Sequence, residues 1–387
     1  MTKSKILLVS KLYHPWIGGV EQHVQLLAEE MAKEFDIRAL CCQENAPTAP
    51  PHSSLLTPYH QIINGIPVFK APSLGIYWSM PVSPAFPFWF KRLAREADLI
   101  HLHLPFPLAE FSQWILRPGA KLVITWHSDI VRQKFFARAL SPLSRWILER
   151  AQIIITTSEQ LAQNSRALQC FRAKTQIIPL AIKTERFVLT PAIQKEAQAI
   201  RRRYGTPLIL FVGRLVPYKG LAYLLDALPG VTRQAKLLLI GDGPLSGALR
   251  DMAKRLGLDE RAIFLGAKTD ENLAAYYHAC DLFILPSVSP NEAFGVVQME
   301  AMAAGKPVIN TALATGVPGV SLDQQTGLTV PPCDSEALVQ AINKILQNEP
   351  WRQQLGQNAL ERVRTLFSAE ALAGKIADVY HSALEKP

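Results

Sequence analysis

The sequence is poor in cysteine, and the five it has are spaced badly for cross-linking. Cys41, Cys42, Cys170, Cys280 and Cys333 are odd in number and form no CxxC pair. That excludes a complete disulfide framework and suits a reducing cytosol, with thiols packed as small hydrophobes. A secretion signal is missing as well. "ILLVS" (6–10) has five residues before Lys11, short of the roughly 7–15 of a signal core. No apolar run approaches the ~18 residues a spanning helix needs. The expected location is therefore the cytoplasm. No low-complexity tract occurs, and no zinc finger, RNP or helix-turn-helix signature offers a reader for nucleic acid.

What is present is a chain of 387 residues, 49% of them hydrophobic, long enough for two cores. Charge is uneven along it. Residues 1–203 hold 25 Lys and Arg against 14 Asp and Glu; residues 204–387 hold 16 against 18. A basic first half beside a near-neutral second half suggests that one half alone faces an anionic partner, such as a membrane surface or a phosphorylated lipid.

Short apolar runs alternate with longer, helically spaced segments. "KILLVS" (5–10), "IRALCC" (37–42), "DLIHLH" (98–103), "KLVITW" (121–126), "QIIIT" (152–156) and "TQIIP" (175–179) read as strands. The second half repeats the scheme with "PLILFVG" (207–213), "AKLLLIG" (235–241), "RAIFLG" (261–266), "DLFILP" (281–286) and "KPVIN" (306–310). Continuous apolar strands between helices imply parallel sheets covered on both faces. The fold class is therefore α/β, with two Rossmann-like doubly wound sheets. The boundary falls near 185–206, where the strand pattern lapses and a Gly–Pro turn signal follows. Ser368 reads as the N-cap of a last helix. Such sheets bind ligands at the carboxyl ends of their strands, so chemistry is sought there, in a cleft between two facing sheets.

"SVSPNEAFGVVQMEAMAAG" (287–305) places Glu292 before a helix starting near Phe294–Gly295–Val296 and Glu300 about two turns inside it. A helix N-terminus is a phosphate site. Two carboxylates flanking it, on the order of 10 Å apart, suit a sugar and a ribose joined through a diphosphate. A cap and an exposed helix glutamate are the plainer alternative. A glycosidase pair is disfavoured, because two acids along one helix do not converge across a bond. "FVGRLVPYKG" (211–220) offers Arg214 and Lys219 on a strand-end loop, suited to a leaving diphosphate; two solvated cations are the alternative. Gly18 and Gly19 sit between the first strand and first helix, where a bare backbone can approach an anion, but the stretch is not GxGxxG and also reads as a plain turn. His127, in "WHSD", lies just past a strand end, where a substrate contact is possible and a buried core histidine is the plainer alternative, with Asp129 near enough to orient it or cap a helix. Gly241, in "IGDGP", and Lys268 follow two further strands, Lys268 beside a candidate nucleobase edge.

These stretches together resemble the retaining glycosyltransferases of family 4, of GT-B fold. The carriers are "EAFGVVQMEAMAAGKPVI", "FVGRLVPYKG", "GDGP", the glycines at 18–19 and His127 in "HSD". The resemblance implies an N-terminal acceptor-binding domain over 1–188, with helix 368–387 crossing back to it. It implies a nucleotide-sugar-binding domain over 205–366. By the same resemblance Glu292 contacts the donor sugar and Glu300 the ribose. Arg214 and Lys219 neutralise the diphosphate, Gly18 and Gly19 face it, and His127 touches the transferred sugar. The wider stretches "WHSDIVRQK" and "TGLTVPP" look most like bacterial mannosyl- or rhamnosyltransferases of surface polysaccharide assembly. That implies a GDP- or UDP-linked donor, a glycan or lipid-linked acceptor, front-face transfer with retention, and no metal or other cofactor. A nucleotide-sugar epimerase and a non-catalytic basic lipid-binding protein are the rivals. Replacing Arg214 or Lys219 by Ala is expected to impair turnover and spare the fold. Two basic, aromatic stretches, 76–93 ending in Lys91 and Arg92, and 130–150 with Arg132, Lys134, Arg138 and Arg145 beside Phe135, Phe136 and Trp146, suggest peripheral contact with an anionic membrane.

Overall fold

The computed structural model describes residues 3–16, 18–44, 59–77, 80–129, 134–268 and 270–386, with backbone alone at 59, 134–139, 270 and 271. The chain divides into two compact units, Met1–Leu180 with Ala369–Pro387, and Ala181–Ser368.

The first unit holds β1 (Lys5–Val9), β2 (Asp36–Cys42), β3 (Tyr59–Ile63), β4 (Ile66–Ala71), the short ribbon β5 (Ile76–Tyr77) and β6 (Met80–Pro81), β7 (Leu99–Leu104), β8 (Lys121–Trp126), β9 (Ile153–Thr156) and β10 (Thr175–Ile177). Its main sheet runs β10-β9-β8-β7-β1-β2-β4-β3. Strand order reverses between β1 and β7, the switch point at which such sheets bind ligands. The sheet is not wholly parallel: β3 pairs antiparallel with β4 through Asn64 and Gly65, both at positive φ. An Asn–Gly pair in that conformation makes the tight hairpin turn. The last helix, Ala369–Glu385, begins just after Ser368 and packs on helix Gly19–Met31 and on β8. Chain from the far end thus completes this unit.

The second unit holds β11 (Leu208–Val212), β12 (Lys236–Ile240), β13 (Ala262–Gly266), β14 (Leu282–Ile284), β15 (Val308–Thr311) and β16 (Gly327–Val330). All are parallel, in the order β13-β12-β11-β14-β15-β16. The reversal lies between β11 and β14. Every residue of β11 is buried, as expected of a strand with helices on both faces. The segment in which the strand pattern lapses forms helix Pro191–Tyr204. Thr190 caps it by accepting from the Ile193 N–H, Pro191 stands in its first turn and Gly205 ends it.

Candidate functional site

In the second unit the loops after β11, β12 and β13 are joined edge to edge. Gly213 N–H donates to Ile240 O, Gly241 N–H to Gly266 O, and Leu215 N–H to Asp242 O, each at 2.9 Å. The first two need glycine: φ is +151° at Gly213 and +134° at Gly241, values that side chains disfavour. A Cβ on Gly241 would lie 2.0 Å from Gly213 O. This clamp sets the base from which Arg214 projects, exposed, its side chain without a hydrogen bond or ion pair to a described residue.

Lys219 is different. It is buried, and its Nζ meets Glu292 Oε2 at 2.6 Å. Ser287 Oγ donates to the same oxygen at 3.0 Å. Val288 N–H donates to Tyr218 O at 2.8 Å, drawing the loops after β11 and β14 together across the switch point. Gly220 permits this closeness, since a Cβ there would fall 1.9 Å from Pro286 O. Two sequence-assigned residues are therefore partners. The expectation that Lys219→Ala would spare the fold is corrected here: truncation leaves Glu292 buried and short of its cation.

Because the helix starts only at Val296, Glu300 sits one turn inside Val296–Ala303 rather than the expected two, and it accepts from Tyr277 OH at 2.6 Å. Gly295 caps that helix in the left-handed region, φ +74°. Val296 is its first residue. Phe294 turns inward, its ring edge-on to Phe367, so only its backbone is available to a ligand. Lys268 is exposed in the loop after β13.

In the first unit, Gly18 is extended at φ −159°, a conformation open to any residue. Glu21 occupies the space beside it, where a Cβ would come 2.3 Å from Oε2. Gly19 opens the helix. Burial raises the Glu21 carboxyl and lowers the Lys11 ammonium, each countered in part by the other's charge. His127 is buried, but Asp129 does not orient it. Asp129 Oδ1 instead accepts from Trp126 Nε1 at 2.9 Å and Ser165 Oγ at 2.7 Å. The partner of His127 is His103, whose Nδ1 lies 3.0 Å from His127 Nε2. His23 and His101 complete a buried cluster. Burial, with the neighbouring imidazoles, depresses all but one of the four; for His23 burial alone suffices. Sequence reading passed over His101 and His103, although "HLH" sets them on one face of a strand. Among the described residues no group of three or more His, Cys, Asp or Glu is arranged to hold a metal ion.

Residues 17–186 match the family described as Glycosyltransferase Family 4, and residues 192–362 that described as Glycosyl transferases group 1. A D-rhamnosyltransferase of Pseudomonas aeruginosa is 33% identical over 280 residues, 72% of each chain. The chain belongs to glycosyltransferase family 4. O-antigen chain mannosyltransferase C of Escherichia coli is 29% identical to this transferase, across 98% of its chain and 99% of the relative. Its two units have the GT-B fold. Sucrose-phosphate synthase of Thermosynechococcus elongatus superposes with a TM-score of 0.77 at 26% identity, over 98% of each chain.

Proposed function

We propose that the transferase moves a hexose, mannose or a close relative, from a GDP-sugar to a glycan or lipid-linked acceptor in surface-polysaccharide assembly. The buried Lys219–Glu292 pair at the β11/β14 switch point carries this reading. The near full-length likeness to an O-antigen mannosyltransferase supports the sugar and the pathway class. Glu292, its charge balanced by Lys219, holds sugar hydroxyls. Arg214 and Lys219 oppose the diphosphate charge that grows as the bond breaks, and the Gly241 clamp fixes the base of Arg214. The N–H groups of Gly295 and Val296 supplement them, Glu300 takes the ribose, and Lys268 lies toward the base. From the first unit, His127 is assigned to the transferred sugar and the Gly18–Gly19 backbone to the phosphate, an assignment that the Glu21 carboxylate beside Gly18 opposes. The acceptor hydroxyl attacks the anomeric carbon on the face from which the diphosphate departs. The C–O bond to phosphate breaks, and the hydroxyl proton passes to the leaving phosphate oxygen. The products are a glycoside of retained configuration and a nucleoside diphosphate, with the cations doing the work a metal does elsewhere. Screening GDP- and UDP-sugars by thermal unfolding tests the donor. Ligand at 100 times its Kd adds ~2.7 kcal/mol, roughly 5–11 °C for a unit of this size. Protection by UDP-sugars alone would transfer the reading to a UDP-dependent enzyme. Nucleotide release without acceptor dependence, with an epimerised donor, would favour the epimerase.

The first unit also supports docking on an anionic membrane. Helix Pro107–Leu116 is inverted: it buries Glu110, Ser112 and Gln113 and exposes Phe111, Trp114 and Ile115. Burial pushes the Glu110 carboxyl up to about 7. The helices packed on either side, Phe86–Ala94 and Lys134–Arg150, expose Lys91, Arg92, Arg145 and Arg150, and Arg117 ends the inverted helix itself. Apolar side chains ringed by cations suit a lipid surface, to which each nearby Lys or Arg adds about 1 kcal/mol. Of the stretches first suspected, 130–133 with Arg132, and the side chains of Lys134, Phe135, Phe136 and Arg138, lie outside the described residues. Among the described residues no helix is long and apolar enough to cross a membrane. Full-length protein should cosediment with anionic but not neutral vesicles, less so at raised salt. Combined Phe111→Ser, Trp114→Ser and Ile115→Ser substitutions should release it. Equal recovery from both vesicle types would reject the docking face.

A further inference from the structure

The buried histidines of the first unit form a connected set of which the transfer reaction, as described, uses His127 alone. His101 is fully satisfied, with Nε2 2.7 Å from Thr125 Oγ1 and Nδ1 2.8 Å from Tyr380 OH. His103 stacks between His101 and His127, with ring centroids at 4.4 and 5.3 Å. His23 meets His103 and His127 edge-on. His103 Nδ1 and His127 Nε2 are 3.0 Å apart, and His103 Nε2 is buried with no hydrogen-bond partner among the described residues. His127 Nδ1 makes no hydrogen bond to a described residue.

A bond between two neutral imidazoles needs one proton, and its location decides the rest. With the proton on His127 Nε2, His103 must carry its own on Nε2, leaving a buried N–H with no acceptor. With the proton on His103 Nδ1, the orphan at Nε2 is a lone pair, and His127 holds its proton on Nδ1. Orphaned buried N–H groups are rarer in folded proteins than under-satisfied acceptors. All four rings are held neutral by burial, so a doubly protonated ring does not intervene.

We infer that His103 is a positioning residue: its Nδ1–H bond to His127 Nε2 fixes the His127 tautomer, so that His127 offers its ligand a hydrogen-bond donor at Nδ1. The ring nitrogen facing a ligand is set in this way by the bond made at the other. A donor there selects an oxygen lone pair of the bound sugar. This rests on the reading that His127 touches the transferred sugar.

Histidine-selective ¹⁵N NMR of the full chain reads the tautomers directly. The native protein should show His127 protonated at Nδ1 and bare at Nε2. His103→Leu should abolish that preference and lower kcat/KM by about tenfold to a hundredfold, the usual loss when an orienting partner of a functional histidine is removed. His103→Asn, whose amide N–H can donate from nearly the same place, should restore the Nδ1–H state and most of the rate. His127 protonated at Nε2 in the native protein would overturn the inference, and that spectrum decides even if His103→Leu fails to fold. So would equal losses in both variants with the His127 tautomer unchanged, which is a packing effect. If the tautomer is as stated but His127→Ala transfers sugar normally, the positioning stands and the placement of His127 on the sugar fails.

Discussion

Lys219→Ala is expected to cost the second unit about 3–5 kcal/mol of stability, the range found when one partner of a buried ion pair is removed. The cause is the stranded carboxylate rather than the lost lysine. Glu292 is buried, keeps only the Ser287 hydroxyl on Oε2 and loses its 2.6 Å cation. Turnover should also fall, by about 10²–10³, as one preorganised charge facing the diphosphate disappears. The two effects separate in a double variant. Lys219→Met with Glu292→Gln removes both charges and should recover most of the lost stability, while transfer stays low. Chemical denaturation of the single and double variants measures this coupling. A Lys219→Ala protein as stable as the native one would show that the pair is not held as the structure has it. Arg214→Ala serves as the contrast, since Arg214 is exposed and unpaired among the described residues. It should lose rate and keep its stability.

The second large effect is expected at Gly241. A methyl there would stand 2.0 Å from Gly213 O, on a residue held at φ +134°. The obstacle is backbone and cannot swing aside. Relief would require breaking the hydrogen bonds that join the ends of β11, β12 and β13. Backbone strain alone costs on the order of 1–3 kcal/mol. With the clash added, a loss of about 3 kcal/mol, or roughly 6–12 °C in Tm, is a conservative expectation for a unit of this length. Because the loop that must yield, that of Gly213, also carries Arg214, rate should fall even at temperatures where the variant is folded. Gly247→Ala is the control: it lies in helix Ser246–Arg255 with nothing within 4 Å of the added methyl. It should be neutral or slightly stabilising, by up to about 1 kcal/mol. An unperturbed Gly241→Ala would refute the clamp.

Much of the architecture was legible because buried parallel strands are written as unbroken apolar runs, and "PLILFVG" or "KLVITW" can hardly be read otherwise. The antiparallel β3–β4 hairpin was missed although Asn64–Gly65 signals it, because its strands mix polar and apolar residues at a sheet edge. The site was legible as positions, not as bonds. Strand ends marked Arg214, Gly241 and Glu292 in the second unit and His127 in the first, since a parallel topology gathers the strand ends of each sheet along one edge. The partners of those residues come from other strands and helices. That Lys219 would bury itself against Glu292, that Tyr277 would take Glu300, and that His103 rather than Asp129 would meet His127 depends on packing between distant segments, which spacing does not encode. Gly18 shows the converse: a glycine pair suggested a bare phosphate-facing backbone, yet its φ is ordinary and a carboxylate, Glu21, stands beside it.

The central claim, metal-free transfer with retention from a GDP-hexose, is tested most directly without knowing the acceptor. Slow hydrolysis of GDP-α-mannose by the enzyme, followed by ¹H NMR before the released sugar mutarotates, reports the face of attack. The account predicts α-mannose as the first product, formed at the same rate in excess chelator. β-Mannose as the first product, or hydrolysis abolished by the chelator and restored by magnesium, would contradict it.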